Sequence, residues 1–412
     1  MLTAYLRLWT AANVLRIAIG LNAGTGLVGS TLDKGALVLP ALVLAAGIWP
    51  SHCSGGLTCM ALALRALTNI AKGAFMSNSQ MWATQMDAAL LSALGLHVWQ
   101  RRHSRHWLST LSTDDERSII MACARTIRWQ LAIFYFASGF WKVNTSFLHP
   151  DYSCASIFTV QPLEYLPDSI LFAAEGVFAV AVPALARCIA LIGPAATLVI
   201  EAVVPALHVL EPSRWPTCAQ VGVLSTLIFH AVIGLTPPPS NVSTYGVTTC
   251  TRLFFVMPQA LSAAVEELGQ LGHSTDALLL WLAMGVSAAA SLALVAPLHA
   301  VAPSTVQGEG TDWHLGYYMA LCVLFGRAVV LERGGQLESS QVKSSERLKQ
   351  TGRQVESGQF ESGQGESGQE ARQLEAPASM PRRSPRLTSA KAKAGNTERF
   401  TFRPSPSARS PA

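Results

Sequence analysis

The sequence predicts an all-α, polytopic integral membrane bundle followed by a separate polar tail. Three observations predict it. Of 412 residues, 50% are hydrophobic and only 13% charged, with a mean hydropathy of +0.32. Soluble domains carry about 25% charged residues, so this chain lacks the charge to cover a soluble surface. Second, long apolar runs recur from residue 5 to 331. Third, the net charge of +5 belongs wholly to 335–412, which hold 13 basic and 8 acidic residues, leaving 1–334 neutral. A soluble enzyme and a nucleic-acid binder are thereby excluded, and the lipid bilayer is the expected partner.

A spanning helix needs about 20 mostly apolar residues. Candidates lie at 5–29, 36–50, 55–75, 81–100, 118–142, 170–193, 194–212, 217–236, 277–303 and 312–331, which gives about eight to ten spans. The first is interrupted by Arg16 and lacks a clear small-residue cleavage site, so it reads as a membrane helix and not a signal peptide. The second is short. The third carries Arg65 and Lys72, which places it against the bundle or in the interface. Pro183 and Pro205 are tolerated within spans because neighbouring helices satisfy the freed backbone groups.

Orientation follows the Lys/Arg bias of short loops. The cluster 101–106 places the loop after the fourth span in the cytosol. The loop 143–169 has no Lys or Arg and holds the sequon Asn144-Thr145-Ser146, so it is lumenal or extracellular. Counting onward puts the tail in the cytosol, and the sequon at Asn241 there too, unused. The sequon leans towards the endoplasmic reticulum or another secretory membrane. The tail repeats Glu-Ser-Gly-Gln at 356, 361 and 366 and continues in Ser, Pro, Arg and Lys. It buries too little apolar area to order itself, so it reads as disordered from 335 to 412.

Eight cysteines occur with no CxxC pair, so no zinc or redox motif is signalled. Cys154 and Cys218 fall on one side in this topology, which leaves a disulfide between them open.

Polar groups inside the spans are the informative ones, because a charge at a helix centre costs about 2.5–3.5 kcal/mol on insertion scales. In 118–142, Arg125 and Arg128 sit where they can snorkel, Gln130 and Tyr135 lie deeper, and Ser138 and Gly139 permit close helix approach. Lys142 ends this span. It reads either as a snorkelling end-lysine or as a base held neutral in a pocket. In 194–212, Glu201 is too central to snorkel and is expected to be protonated or paired. His208 lies seven residues on, on the same helix face. His230 sits well inside 217–236. No metal-binding, phosphate-loop or nucleophile-elbow motif accompanies them.

The segment RWQLAIFYFASGFWKVN resembles the R-x-Q-x4-Y-F-x-(A/S)-G-x-x-K helix of the horizontally transferred transmembrane (HTTM) family. That family includes the membrane domain of vitamin K-dependent gamma-glutamyl carboxylases. The matches are Arg128, Gln130, Tyr135, Phe136, Ser138, Gly139 and Lys142. Arg16, Gly20 and Leu21 resemble the family's opening, and Glu201, Arg214, Phe229 and His230 its acidic-residue and F-H helices. The likeness covers about 1–235. It implies a base at Lys142 that deprotonates reduced vitamin K or another quinol, with Glu201 and His230 in catalytic support. Gln130, Tyr135 and His208 are then candidate ligand contacts. There are departures: Asn78 is followed by Ser79 where the carboxylases have histidine, Phe147 replaces a tryptophan, and no large lumenal domain follows. They argue against full gamma-carboxylation. The resemblance thus implies a membrane enzyme acting on a lipid-soluble small molecule. A transporter, and a structural or regulatory bundle, remain the alternatives that the residues leave open.

Overall fold

A computed structural model gives the structure of the protein. It describes residues 1–22, 55–72, 78–101, 110–160, 163, 168–178, 181–235, 244–270, 273–300 and 314–335. The chain divides into two units, Met1–Glu346 and Arg347–Ala412, and the second lies outside the described residues. The expectations for the tail, for a span at 36–50 and for the sequon at Asn241 therefore fall outside them too.

Almost every described residue is helical, and none is in a strand. The first helices are α1 (Leu2–Asn22), α2 (Gly55–Lys72), α3 (Asn78–Gln100) and α4 (Thr113–Lys142). Short helices α5 (Thr145–Leu148), α6 (Cys154–Val160) and α7 (Asp168–Phe178) follow. Then come α8 (Val182–Val209), α9 (Pro216–Gly234), α10 (Thr244–Arg252), α11 (Pro258–Leu268), α12 (Thr275–Ala300) and α13 (His314–Gly335).

Among the described residues, five helices are long and apolar enough to cross a membrane: α4, α8, α9, α12 and α13. Helices α1, α2 and α3 run 21, 18 and 23 residues and carry Arg7 and Arg16, Arg65 and Lys72, and Asp87 along their lengths. The five sort their residues by face. On α4, Trp129, Ile133, Phe136 and Phe140 are exposed, while Ile127, Leu131, Phe134 and Tyr135 are buried. On α9, Val221, Leu224, Ile228 and Val232 are exposed at spacings of three and four. A soluble helix turns its apolar stripe inward. These helices turn one apolar face inward and another outward, which is the arrangement a bilayer stabilises. Trp141 is 79% exposed at one end of α4, and Trp215 is 49% exposed at the start of α9. Interfacial tryptophans of this kind mark the headgroup level.

Two expectations need correction. The spans expected at 170–193 and 194–212 are instead the short α7 and the single long α8, with Pro194 in the interior of α8. Proline removes the N–H that would bond the carbonyl four residues back. The Ser156 hydroxyl of α6 fills that gap, donating to the Ala190 carbonyl at 3.0 Å. Second, Cys154 and Cys218 are free thiols. Helix α6, which Cys154 opens, packs against Ala190 and Gly193 of α8, whereas Cys218 follows the C-terminal end of α8 at the start of α9.

Helix α4 opens with a Ser112 cap, whose hydroxyl accepts from the Asp115 amide at 3.2 Å, and three acidic residues in its first turn. It packs antiparallel to α8: Gly139 faces Glu201, and Arg128 faces Leu210 and Glu211. The principal core gathers α1, α3, α4, α10 and α13 around Tyr5, Trp9, Leu90, Ile127, Phe254 and Tyr318.

Candidate functional site

Ser138 and Lys142 stand one turn apart on the inner face of α4, at a spacing of four. Glu201 enters the same face from α8. Gly139 makes this approach feasible, since a β-carbon there would lie 3.1 Å from the Glu201 β-carbon. The Lys142 ammonium pairs with Glu201 Oε1, and Lys142 Nζ also donates to Ser138 Oγ at 3.1 Å. Ser138 Oγ in turn donates to Glu201 Oε1 at 3.1 Å. The Lys142 side chain is 28% exposed and that of Glu201 only 2%. Glu201 Oε2 is buried with no hydrogen-bond partner. Lys142 is thus neither a lone snorkelling lysine nor an isolated neutral one: it is one half of a largely buried ion pair.

The pair faces a cavity of about 620 Å³ bounded by α4, α5, α6, α8 and α9. That volume is in the range of small-molecule sites, roughly 300–1,000 Å³. Its walls are apolar, with Phe147, Phe158, Ile200, Phe229 and Ile233 among them, and it opens along the outward face of α9 at Ile228 and Val232. Thr159 and Thr197 also line it, but their hydroxyls bond back to Ala155 and Gly193 carbonyls at 2.8 and 2.9 Å. The Ser138–Lys142–Glu201 group is therefore a polar corner of an otherwise greasy chamber. The Phe147 ring lies 5.8 Å from the Lys142 ammonium, a cation–π distance.

Tyr135 and His230 form a second layer, about one turn further along α4. Tyr135 Oη and His230 Nε2 are 2.6 Å apart, and Thr249 Oγ1 lies 3.0 Å from the same nitrogen. Gly246 lets α10 approach this ring: a β-carbon there would lie 2.7 Å from His230 Nδ1 and 2.5 Å from Tyr318 Oη. His208 sits beside them, its ring 6.1 Å from that of Tyr135. Its Nε2 is 3.3 Å from the Gly222 carbonyl and 3.2 Å from Thr226 Oγ1, while Nδ1 has no partner. Glu201 and His208 do share the buried face of α8.

Gln130 stands apart. It is twelve residues before Lys142, roughly 18 Å along the axis, and its Nε2 donates to the Gln85 carbonyl of α3 at 3.4 Å. It does not line the cavity. The side chains of Arg16, Gly20, Leu21, Asn78 and Ser79 lie outside the described residues.

A polar cluster absent from the sequence reading lies between α1, α3 and α10. Arg252 donates to Asp87 Oδ1 at 2.6 Å and to the Thr248 carbonyl at 2.7 Å, and both charged side chains are at most 5% exposed. Trp9 Nε1 donates to the other Asp87 oxygen at 3.3 Å. Asp87 within an apolar run was the signal that could have found it. Among the described residues no group of three or more metal-ligating side chains converges.

Fold and site define the class: an all-α, multi-pass membrane bundle with a buried ion pair at the wall of an apolar chamber. Comparison with family models, with curated proteins and with solved structures finds no match to this chain.

Proposed function

We propose that this protein binds a lipid-soluble small molecule with a hydroxyl at one end, in the chamber beside Lys142. The observation that carries the reading is the coincidence of an apolar chamber of about 620 Å³ with a single ion-paired corner. A quinol is the ligand class implied by the likeness of 128–142 to the HTTM helix. Its ring and tail would lie on the apolar walls, and its hydroxyl would donate to the unpartnered Glu201 Oε2. Lys142 and Glu201 then act as one proton-accepting unit. The hydroxyl proton passes to the pair, and the Lys142 charge holds the oxyanion that is left. Ser138 fixes the orientation of both. His230 and Tyr135, one layer away, support the pair without touching the ligand.

The basic stretch 101–106 assigns the start of α4 to the cytosolic side. The Lys142 corner then lies towards the lumenal side of a secretory membrane. Glu332, near the end of α13, lines a cavity with Arg128, which supports a cytosolic exit of the chain from α13.

The test uses the full chain in lipid nanodiscs with reduced vitamin K and oxygen, measuring retained quinol and epoxide formed. Wild type is expected to retain the quinol, and Ala196→Trp, which fills the chamber, to lose it. Wild-type epoxide with none from Lys142→Ala would establish the role of the pair. Equal epoxide from both would remove Lys142 from the mechanism. Equal retention by wild type and Ala196→Trp would remove the chamber.

A further inference from the structure

A second cavity, of about 380 Å³, lies at the opposite end of α4 and α8 from Lys142. Its wall carries Arg128 from α4, Glu211 and Ser213 from the turn after α8, Gln259 from the first turn of α11, and Glu332 from α13. Phe255 provides part of its apolar side.

Arg128 is the informative group. Its side chain is only 8% exposed, yet its hydrogen bonds within the chain are long. One terminal nitrogen reaches the Leu210 carbonyl at 3.3 Å, and the other reaches Glu211 at 3.4 Å. Its Nε is buried with no partner at all. A guanidinium carries five N–H donors in a rigid fork that fits phosphate. Burying that fork half-satisfied is costly unless a ligand completes it.

A second feature points the same way. Helix α11 begins at Pro258, and Gln259 and Ala260 of its first turn line this cavity. First-turn amides have no partner within their own helix and favour an anion.

The two carboxylates exclude a bare anion as the best ligand. Glu332 accepts from Gln220 at 2.9 Å, and Glu211 pairs only loosely with Arg128. One cation with two carboxylates suits a zwitterion, a phosphate joined to an ammonium. The apolar face and the position at the helix ends, beside the exposed Trp215, suit a headgroup whose chains run along the bundle.

We infer that this cavity binds a phosphoethanolamine headgroup, with phosphate on Arg128 and the start of α11 and the ammonium between Glu211 and Glu332. The site is independent of the chamber beside Lys142.

The test is retention of lipid by the full chain, purified in detergent and stripped of lipid, read by native mass spectrometry. Dioleoyl phosphatidylethanolamine, phosphatidylcholine and phosphatidylglycerol are offered in equal amounts, with soluble O-phosphoethanolamine as competitor. Wild type is expected to retain phosphatidylethanolamine about tenfold over the other two, the scale of one charge-assisted hydrogen bond. Arg128→Gln is expected to abolish retention. Because that side chain is buried, Glu332→Gln provides the second variant: removing a carboxylate should shift preference from phosphatidylethanolamine to phosphatidylglycerol. Displacement by O-phosphoethanolamine would assign recognition to the headgroup alone. Its failure to displace a selectively retained phosphatidylethanolamine would assign the lipid as the source. Phosphatidylglycerol bound as well as phosphatidylethanolamine by wild type, or an unchanged preference in folded Glu332→Gln, would overturn the inference.

Discussion

Gly139 lies against the backbone end of Glu201: a β-carbon at 139 would stand 3.1 Å from the Glu201 β-carbon and 3.6 Å from its Oε2. The neighbour is the rooted end of a side chain and cannot swing away. Gly139→Ala should therefore push α4 and α8 apart by a few tenths of an ångström. The expected cost is about 1–3 kcal/mol, the scale of an overpacked core. Thermal unfolding in nanodiscs reads it, and an unchanged midpoint would show that the two helices are not held this closely.

The ion pair is lopsided, and that asymmetry is testable. Lys142 is 28% exposed and can reach water when its partner is lost, whereas Glu201 is 2% exposed and cannot. Lys142→Ala leaves the carboxylate buried with Ser138 as its remaining donor. Glu201→Gln keeps an acceptor at Oε1 for both Lys142 and Ser138. The lysine variant should lose about 1–3 kcal/mol more stability than the glutamine variant. The double variant should recover part of the loss in a mutant cycle. Equal losses from the two single variants would mean that the pair is solvated.

Much of this arrangement was legible in the sequence because the apolar background makes polar residues conspicuous. Lys142, Ser138 and Gly139 stood at helical spacing, and Glu201 could only be paired or protonated, so a partner for it was expected. What could not be read was which helices meet. Glu201 and Lys142 are 59 residues apart, and nothing local links them. The break assigned between 193 and 194 failed for a definite reason. Pro194 looks like a helix terminator, but the Ser156 hydroxyl replaces the backbone donor it removes, and that serine lies 34 residues before Ala190. Gln130 shares the helix with Lys142 but faces α3, a placement its position on that helix does not disclose.

Asp87 and Arg252 extend the point, since they are 165 residues apart and meet at 2.6 Å with almost no exposure. Breaking such a pair is worse than replacing it, because the survivor keeps its charge in a low-dielectric setting. Asp87→Ala leaves Arg252 its bonds to the Thr248 and Ala83 carbonyls but no carboxylate to balance its charge. It should cost about 3–5 kcal/mol and sharply lower the yield of folded protein. Asp87→Leu with Arg252→Met should restore most of it. Size-exclusion profiles and melting midpoints of the three proteins decide the matter: a double variant as unstable as Asp87→Ala would mean that the pair is needed for more than charge balance.

The layer behind the ion pair makes a smaller and more specific prediction. Tyr135 Oη and Thr249 Oγ1 both meet His230 Nε2, at 2.6 and 3.0 Å, so that nitrogen has a second partner when the first is removed. Tyr135→Phe deletes one hydroxyl, keeps the ring, and should cost about 0.5–1.5 kcal/mol. His230→Leu strips both hydroxyls of this partner at once and should cost more. The two changes touch one hydrogen bond, so their effects should fall short of additivity by at least about 0.5 kcal/mol. If Tyr135 and His230 serve only as packing, strict additivity is the result, and quinol retention in the chamber is unmoved by either variant. If they brace the inner face of α4 on which Ser138 and Lys142 stand, Tyr135→Phe weakens retention while leaving the protein folded.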